Sequence, residues 1–232
     1  MTNCSTSIEK LLAGRRNKVI VGHYGSGKTE LAINLALELR RREEKVMLLD
    51  MDIVNPFFRS AEQKDQLIAQ GVEVVYPQYA LSGVDIPVLP AEMLRAFQQK
   101  EYRCVFDVGG DDDGAAALGR YFPEFTREPA DVLFVINPFR PRSDTLEKVM
   151  ELIRAIEMRA RIPLTGLISN ANLSEETDAR HILEGRALIE QVAQETGLPI
   201  VCEAGLPKAV ANLDGKYPVF PIERFLKPEW MD

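Results

Sequence analysis

Cysteine is scarce in this sequence and never paired: Cys4, Cys104 and Cys202 are widely separated, and none falls in a CxxC. That spacing excludes a disulfide framework and a thiolate metal cluster, and it suits a reducing cytosol. Cys104 and Cys202 sit in apolar runs and read as packing residues. Long hydrophobic runs are also missing. No segment approaches ~20 consecutive apolar residues, the length a membrane-spanning helix needs. The first 18 residues hold no apolar run ahead of a small-residue cleavage site, so no signal peptide is expected and the cytoplasm is the expected location. The last stretch, IERFLKPEWMD, has few basic residues and a proline, which argues against membrane docking through a C-terminal amphipathic helix. An excess of positive charge is lacking too. The net charge is −7, so no nucleic acid is expected as a partner, and the mixed-sign run Arg40 to Lys45 reads as a solvated helix end.

What is present is an ordinary globular composition, 46% hydrophobic and 27% charged over 232 residues. With no repeat, low-complexity segment or linker, one domain over 1–232 is expected, with 1–16 as an N-terminal extension. Apolar or β-branched runs recur at 18–22, 45–50, 72–76, 103–108, 131–137, 164–169 and 199–204. They lack strict alternation, as strands buried on both faces do. Helical periodicity separates them, most clearly over Lys28 to Arg41, Pro90 to Gln99, Ser143 to Met158 and Glu176 to Thr196. The alternation predicts an α/β fold, a doubly wound, mostly parallel sheet with helices on both faces. Ligands in such sheets bind beyond the carboxyl ends of the strands. Here those ends read Gly22, Asp50-Met51-Asp52, Asp107-Val108-Gly109-Gly110, Asn137 and Ser169-Asn170, so polar and acidic residues collect where a site belongs.

The first of these ends opens the run Gly22-His23-Tyr24-Gly25-Ser26-Gly27-Lys28-Thr29, which fits G-x-x-x-x-G-K-[ST] between a predicted strand and a predicted helix. Glycines let such a loop wrap so that successive backbone N–H groups face phosphate oxygens, and the helix start adds its positive dipole end. Lys28 is expected on the β and γ phosphates and the Thr29 hydroxyl on Mg²⁺, with Glu30 completing the nucleotide-contacting set. A chance match in a chain of this length has odds of roughly one in a hundred from average residue frequencies. A carboxylate at Asp52 can orient attacking water or hold Mg²⁺ through water; its plainer reading is the cap of a neighbouring turn. Asp107 follows an apolar strand in the manner of a Walker B aspartate, and Gly109 and Gly110 give the backbone after it freedom to swing. Of Asp111, Asp112 and Asp113, some are expected to cap the next helix.

In this order, GHYGSGKT, DMD and VFDVGG resemble the MinD/ParA/Mrp-type P-loop ATPases of the SIMIBI class, from Lys18 to about Pro207. The resemblance implies bound ATP or ADP with Mg²⁺, Lys28 and Asp52 in catalysis, and Thr29, Asp52 and Asp107 around the metal. It also places Asn170, in GLISNAN, on the adenine edge. One departure stands out: the family's signature lysine falls on His23 and its second glycine on Tyr24. That lysine reaches a partner's phosphates across a dimer, and a neutral His lacks the fixed charge. Either His23 is loop scaffold, or it takes the lysine's place and its protonation near pH 6 favours an ATP-bound dimer. Arg59 is a second candidate for the lysine's role, with a surface position the plainer reading. Ile53 to Ser60 matches the first switch region, with Phe57-Phe58 expected in the core. Asn137 to Thr145, with Arg140 and Arg142, either lines the site or starts a helix with Ser143 as N-cap.

The expected function is a slow ATPase switch in which bound nucleotide orders two loops and controls an unidentified partner protein, with a nucleotide-dependent homodimer possible. The alternative is a small-molecule kinase or ligase of the dethiobiotin or cobyrinate synthetase kind, although no acceptor-binding motif is visible. A GTP switch is disfavoured by the lack of an N-K-x-D motif, and a scaffold without turnover by the presence of both Asp52 and Asp107.

Overall fold

The computed structural model describes residues 5–42, 45–52, 61–76, 91–110 and 112–225. Eight parallel strands form one sheet in the order β3-β2-β4-β1-β5-β6-β7-β8. The strands are β1 (Asn17–Val21), β2 (Val46–Asp50), β3 (Val72–Val75), β4 (Arg103–Asp107), β5 (Asp131–Ile136), β6 (Gly166–Ser169), β7 (Ile200–Gly205) and β8 (Val219–Pro221). Seven coincide with the apolar runs. The eighth, three residues long and ending in proline, is too short to leave a period and was not anticipated.

Successive side chains of the central strands enter opposite cores, which is why those strands read as continuous apolar runs. Val19, Val21, Met47, Leu49 and Phe106 face one core. It is closed by α4 (Ala91–Gln98), α5 (Asp112–Gly119), α6 (Phe122–Arg127), α7 (Leu146–Ala160) and α8 (Ala179–Thr196). Ile20, Leu48, Val105 and Leu133 face the other, under α1 (Ser5–Ala13), α2 (Lys28–Arg40) and α3 (Ala61–Ala69). Helix α2 is buried along almost its whole length, from Leu31 to Leu39, and packs on β1, β2 and β4. A short α9 (Pro207–Val210) leads toward β8. Cys104 and Cys202 are fully buried, and burial pushes both thiols up to about 12, so they pack and do not react.

Two details of the helices differ from the sequence expectation. The cap of α7 is Thr145, whose hydroxyl accepts from Lys148 N, and not Ser143. Ser143 is instead buried two residues ahead, bonded to the end of β5 and to the loop after β1. Helix α8 starts at Ala179, after a 3-10 turn over Ser174–Glu176, because Asp178 supplies the capping box. Cys4, the segment 53–60 with Phe57, Phe58 and Arg59, and Asp111 lie outside the described residues.

Candidate functional site

Strand β1 lies at the centre of the sheet, between β4 and β5, where the winding direction of the chain reverses. The loop leaving it therefore opens at the topological switch point. The loop spans Gly22 to Gly27, and α2 begins at Lys28. Gly27 holds φ 90°, and a Cβ on it would meet Asn170 Nδ2 at 2.2 Å, so both conformation and contact require glycine there. Asn170 is buried at the end of β6 and donates from Nδ2 to Ser26 O at 2.7 Å. Among the described residues its Oδ1 has no hydrogen-bond partner, nor has the buried Ser26 Oγ.

Lys28 Nζ donates to His23 O at 2.9 Å, curling over its own loop. Thr29 stands near enough to the Asp107 carboxylate, across from β4, to favour its charged form. Asp107 is 3% exposed, and its Oδ1 is buried with no hydrogen-bond partner among the described residues. Burial pushes its carboxyl up to about 6, with the neighbouring Asp52 charge adding to the rise and Lys28 and Thr29 opposing it. Strands β2 and β4 run in register with Asp50 beside Asp107, and Met51 N donates to Asp107 O at 2.8 Å. That pairing carries Asp52 into the site, where its backbone N–H bonds Asp50 Oδ1 and its carboxylate lies 3.4 Å from where a Gly109 Cβ would stand. Thr29, Asp107 and Asp52 thus present hard oxygen donors beside a lysine. An orphaned carboxylate oxygen among them fits an Mg²⁺ that keeps several waters and takes its other ligands from phosphate.

Gly110 packs directly on the loop: a Cβ there would meet Tyr24 N at 2.4 Å and Lys28 Nζ at 2.7 Å. Because the nearer contact is backbone, Gly110→Ala must displace either the loop or the β4–α5 turn. We expect it to lower the unfolding free energy by about 1–3 kcal/mol, as overpacking does. Chemical denaturation would measure it, and an unchanged midpoint would show that the turn moves freely.

Glu30 and Asn34 strap the chain end to α2. Both Glu30 carboxylate oxygens accept from Phe225 N, and Asn34 pairs with the backbone of Glu223 in both directions. A cleft of about 660 Å³ opens beside the loop, lined by Gly27, Glu30, Arg140, Asn170, Asn172 and Arg224 among others. Tyr24 is 71% exposed.

His23, open to two readings in the sequence, packs inside its own chain. It is 5% exposed, and its Nε2 lies 2.9 Å from Ser143 Oγ. Ser143 spends its one proton on Asn137 O at 2.6 Å, so the hydroxyl accepts from Nε2–H and the imidazole is the neutral Nε2–H tautomer. Burial first, then the charges of Lys28, Arg142 and Arg140, press its pKa down to about 4. A buried ring bonded within its own chain, with its pKa pressed well below the usual imidazole value, favours the loop-scaffold reading over a charge offered to a partner's phosphates. The Asn137–Thr145 segment, ambiguous in sequence, is brought onto the loop. What made it legible only in three dimensions is the 120-residue separation of His23 and Ser143.

Among the described residues, no helix is long and apolar enough to cross a membrane, and no cluster of three or more His, Cys, Asp or Glu is placed to hold a metal by itself. Residues 18–184 match the family described as the CobQ/CobB/MinD/ParA nucleotide binding domain. The fold is similar to that of the signal recognition particle 54 kDa protein from Aeropyrum pernix K1, solved in complex with GDP, at 22% identity and TM-score 0.52 over 80% of this chain and 40% of that one. It is similar also to chloroplast FtsY from Physcomitrella patens, at 18% identity and TM-score 0.54 over 79% of this chain and 56% of that one. The chain thus spans about half the length of these solved chains. No curated protein matches it.

Proposed function

This chain belongs to the CobQ/CobB/MinD/ParA nucleotide-binding domain family, and from that premise we propose that it binds ATP with Mg²⁺ and hydrolyses it slowly, as a switch acting on a partner protein. The observation that carries this reading is the convergence of Lys28, Thr29, Asp107 and Asp52 on one phosphate-sized loop at the switch point of the sheet. The charge developing on the phosphates would be neutralised by a bound Mg²⁺. Thr29 and Asp107 would hold it, Asp107 through its uncommitted Oδ1. Lys28 exchanges its bond to His23 O for the β and γ phosphates, and loop N–H groups take the rest. Asp52, at the mouth between β2 and β4, orients the attacking water.

Adenine fits Asn170. One Nδ2 hydrogen is taken by Ser26 O, and Oδ1, buried and without a partner among the described residues, belongs to a residue that lines the cleft and could accept a hydrogen bond from the base. The adenine amino group donates to an acceptor, whereas the guanine O6 at the equivalent edge cannot. A nucleotide-dependent homodimer and cytoplasmic location complete the proposal. The 1–232 chain is taken as one unit.

The test is a thermal-shift titration, since ligand at 100 times its dissociation constant adds about 2.7 kcal/mol of stability. Mg-ATP should raise the midpoint, with GTP weaker. Phosphate release should proceed without an added acceptor and fall in Asp52→Asn, while binding is retained. No shift at millimolar Mg-ATP would overturn the reading. Equal competition by GTP would remove the adenine assignment, and phosphate transfer only when a small-molecule acceptor is added would favour the kinase alternative.

A further inference from the structure

The loop Gly22 to Thr29 contains one fixed cation, Lys28, because His23 is neutral. A nucleoside triphosphate brings several negative charges, and phosphoryl transfer is accelerated mainly by cations placed around them. Two further cations stand at this loop, both from the β5–α7 connection. Arg140 Nε donates to Gly25 O at 3.2 Å, and its side chain lines the same cleft as Gly27 and Asn170. Arg142 is close enough to help hold down the His23 pKa.

Arg140 is not on a free surface loop. Its backbone N donates to Asn137 O at 3.2 Å and its carbonyl accepts from Ser143 N at 2.9 Å. Phe139 N is bonded to Asn137 Oδ1, and Asn137 is itself fully buried. Prolines on either side, Pro138 and Pro141, restrict the backbone further. The chain His23 Nε2, Ser143 Oγ, Asn137 O then ties this turn to the phosphate loop through buried groups. A long exposed side chain usually gains little from its contacts, because ordering it costs rotamer entropy. A turn fixed this firmly lowers that cost before a ligand arrives.

We propose that Arg140 contacts the nucleotide's phosphates from within the same chain, and that the buried His23–Ser143 pair is the positioning device that presents it. One N–H of its five-donor fork is committed to Gly25 O, and among the described residues the others are left for phosphate oxygens. The inference rests on the nucleotide reading above, and it gives the Asn137–Thr145 segment and the unusual His23 a single explanation.

The experiment compares dissociation constants for AMP, ADP and ATP, with Mg²⁺, and steady-state phosphate release. The proteins are the wild type, Arg140→Ala, Arg140→Lys, His23→Ala, His23→Gln and the double variant His23→Ala/Arg140→Ala. Arg154→Ala, an exposed arginine on α7, is the charge control. Arg140→Ala should weaken ATP by roughly tenfold, ADP less and AMP least, the size of one charge-assisted hydrogen bond. It should lower kcat by about a hundredfold, as loss of one transition-state donor does. Arg140→Lys should recover part of both. His23→Ala should act in the same direction, and its effect should vanish in the Arg140→Ala background. His23→Gln, which can still donate to Ser143, should stay near wild type, separating positioning from damage to the fold. If wild type binds no nucleotide, the nucleotide reading falls and this inference with it. If wild type binds and Arg140→Ala matches Arg154→Ala, or weakens AMP and ATP equally, Arg140 has no role at the β and γ phosphates and the proposal falls. Additive His23 and Arg140 effects would overturn the positioning pair.

Discussion

Replacing Lys28 with methionine is expected to weaken Mg-ATP binding on the order of a thousandfold while leaving the protein folded. Lys28 is 7% exposed, and its ammonium rests on His23 O at 2.9 Å, so the nucleotide-free protein already holds it at the loop. Binding moves this charge from a neutral carbonyl to phosphate oxygens. At about 2 kcal/mol for each charge-assisted bond, two lost bonds amount to about 4 kcal/mol, or ~10³ in the dissociation constant. Methionine preserves most of the buried stem, which keeps cavity formation out of the comparison. Calorimetric titration of both proteins would measure the loss. An affinity within tenfold of wild type would mean that the loop's N–H groups and helix dipole carry the phosphates without the lysine.

The second large effect concerns Asp107, and it runs opposite to the usual sense of a mutation. Burial raises its carboxyl to about 6, above the ordinary 3.8 that the unfolded chain keeps. A group raised in this way stabilises the fold below pH about 4, and that contribution is lost as pH climbs through about 6. Above it, the native protein carries a buried carboxylate at a cost of about 3 kcal/mol, at 1.36 kcal/mol per unit. Asp107→Asn, measured with a metal chelator and no nucleotide, should therefore be more stable than wild type at pH 8. In a chain of this size the rise in midpoint is up to about 5–10 °C. The gain should shrink to nothing near pH 4. The same variant should lose most of the stabilisation that Mg-ATP gives wild type, since amide oxygens bind Mg²⁺ poorly. A variant destabilised equally at both pH values would show that the carboxylate is held by bonds stronger than its burial.

The phosphate loop was legible because its requirements are local. Gly27 needs a positive φ, Lys28 must follow it, and strand and helix must flank them within a dozen residues. The seven longer strands were legible for a related reason: burial on both faces leaves an apolar run whatever the neighbours are. Strand β8, α1, α3, α5 and α6 were not, being short or lying where charged and apolar residues mix without a clear period. Of the two readings open for the Ser143 segment, the helix cap falls to Thr145 two residues on, which satisfies the same local rule and is not distinguishable from Ser143 by sequence.

By itself, then, the sequence determined the fold class, the phosphate loop, and the acidic strand ends Asp52 and Asp107, because each rests on spacing along a few residues or on strand burial. Tertiary structure alone decided what stands against that loop. Asn170 arrives from 144 residues away to bond Ser26 O, and Ser143 from 120 to bond His23. The latter contact turned an ambiguous histidine into a buried neutral donor. Arg140, 115 residues from Gly25, bonds the same loop. Such pairs leave no period and no motif, since the sheet order that joins β1 to β5 and β5 to β6 is set by packing of the whole chain.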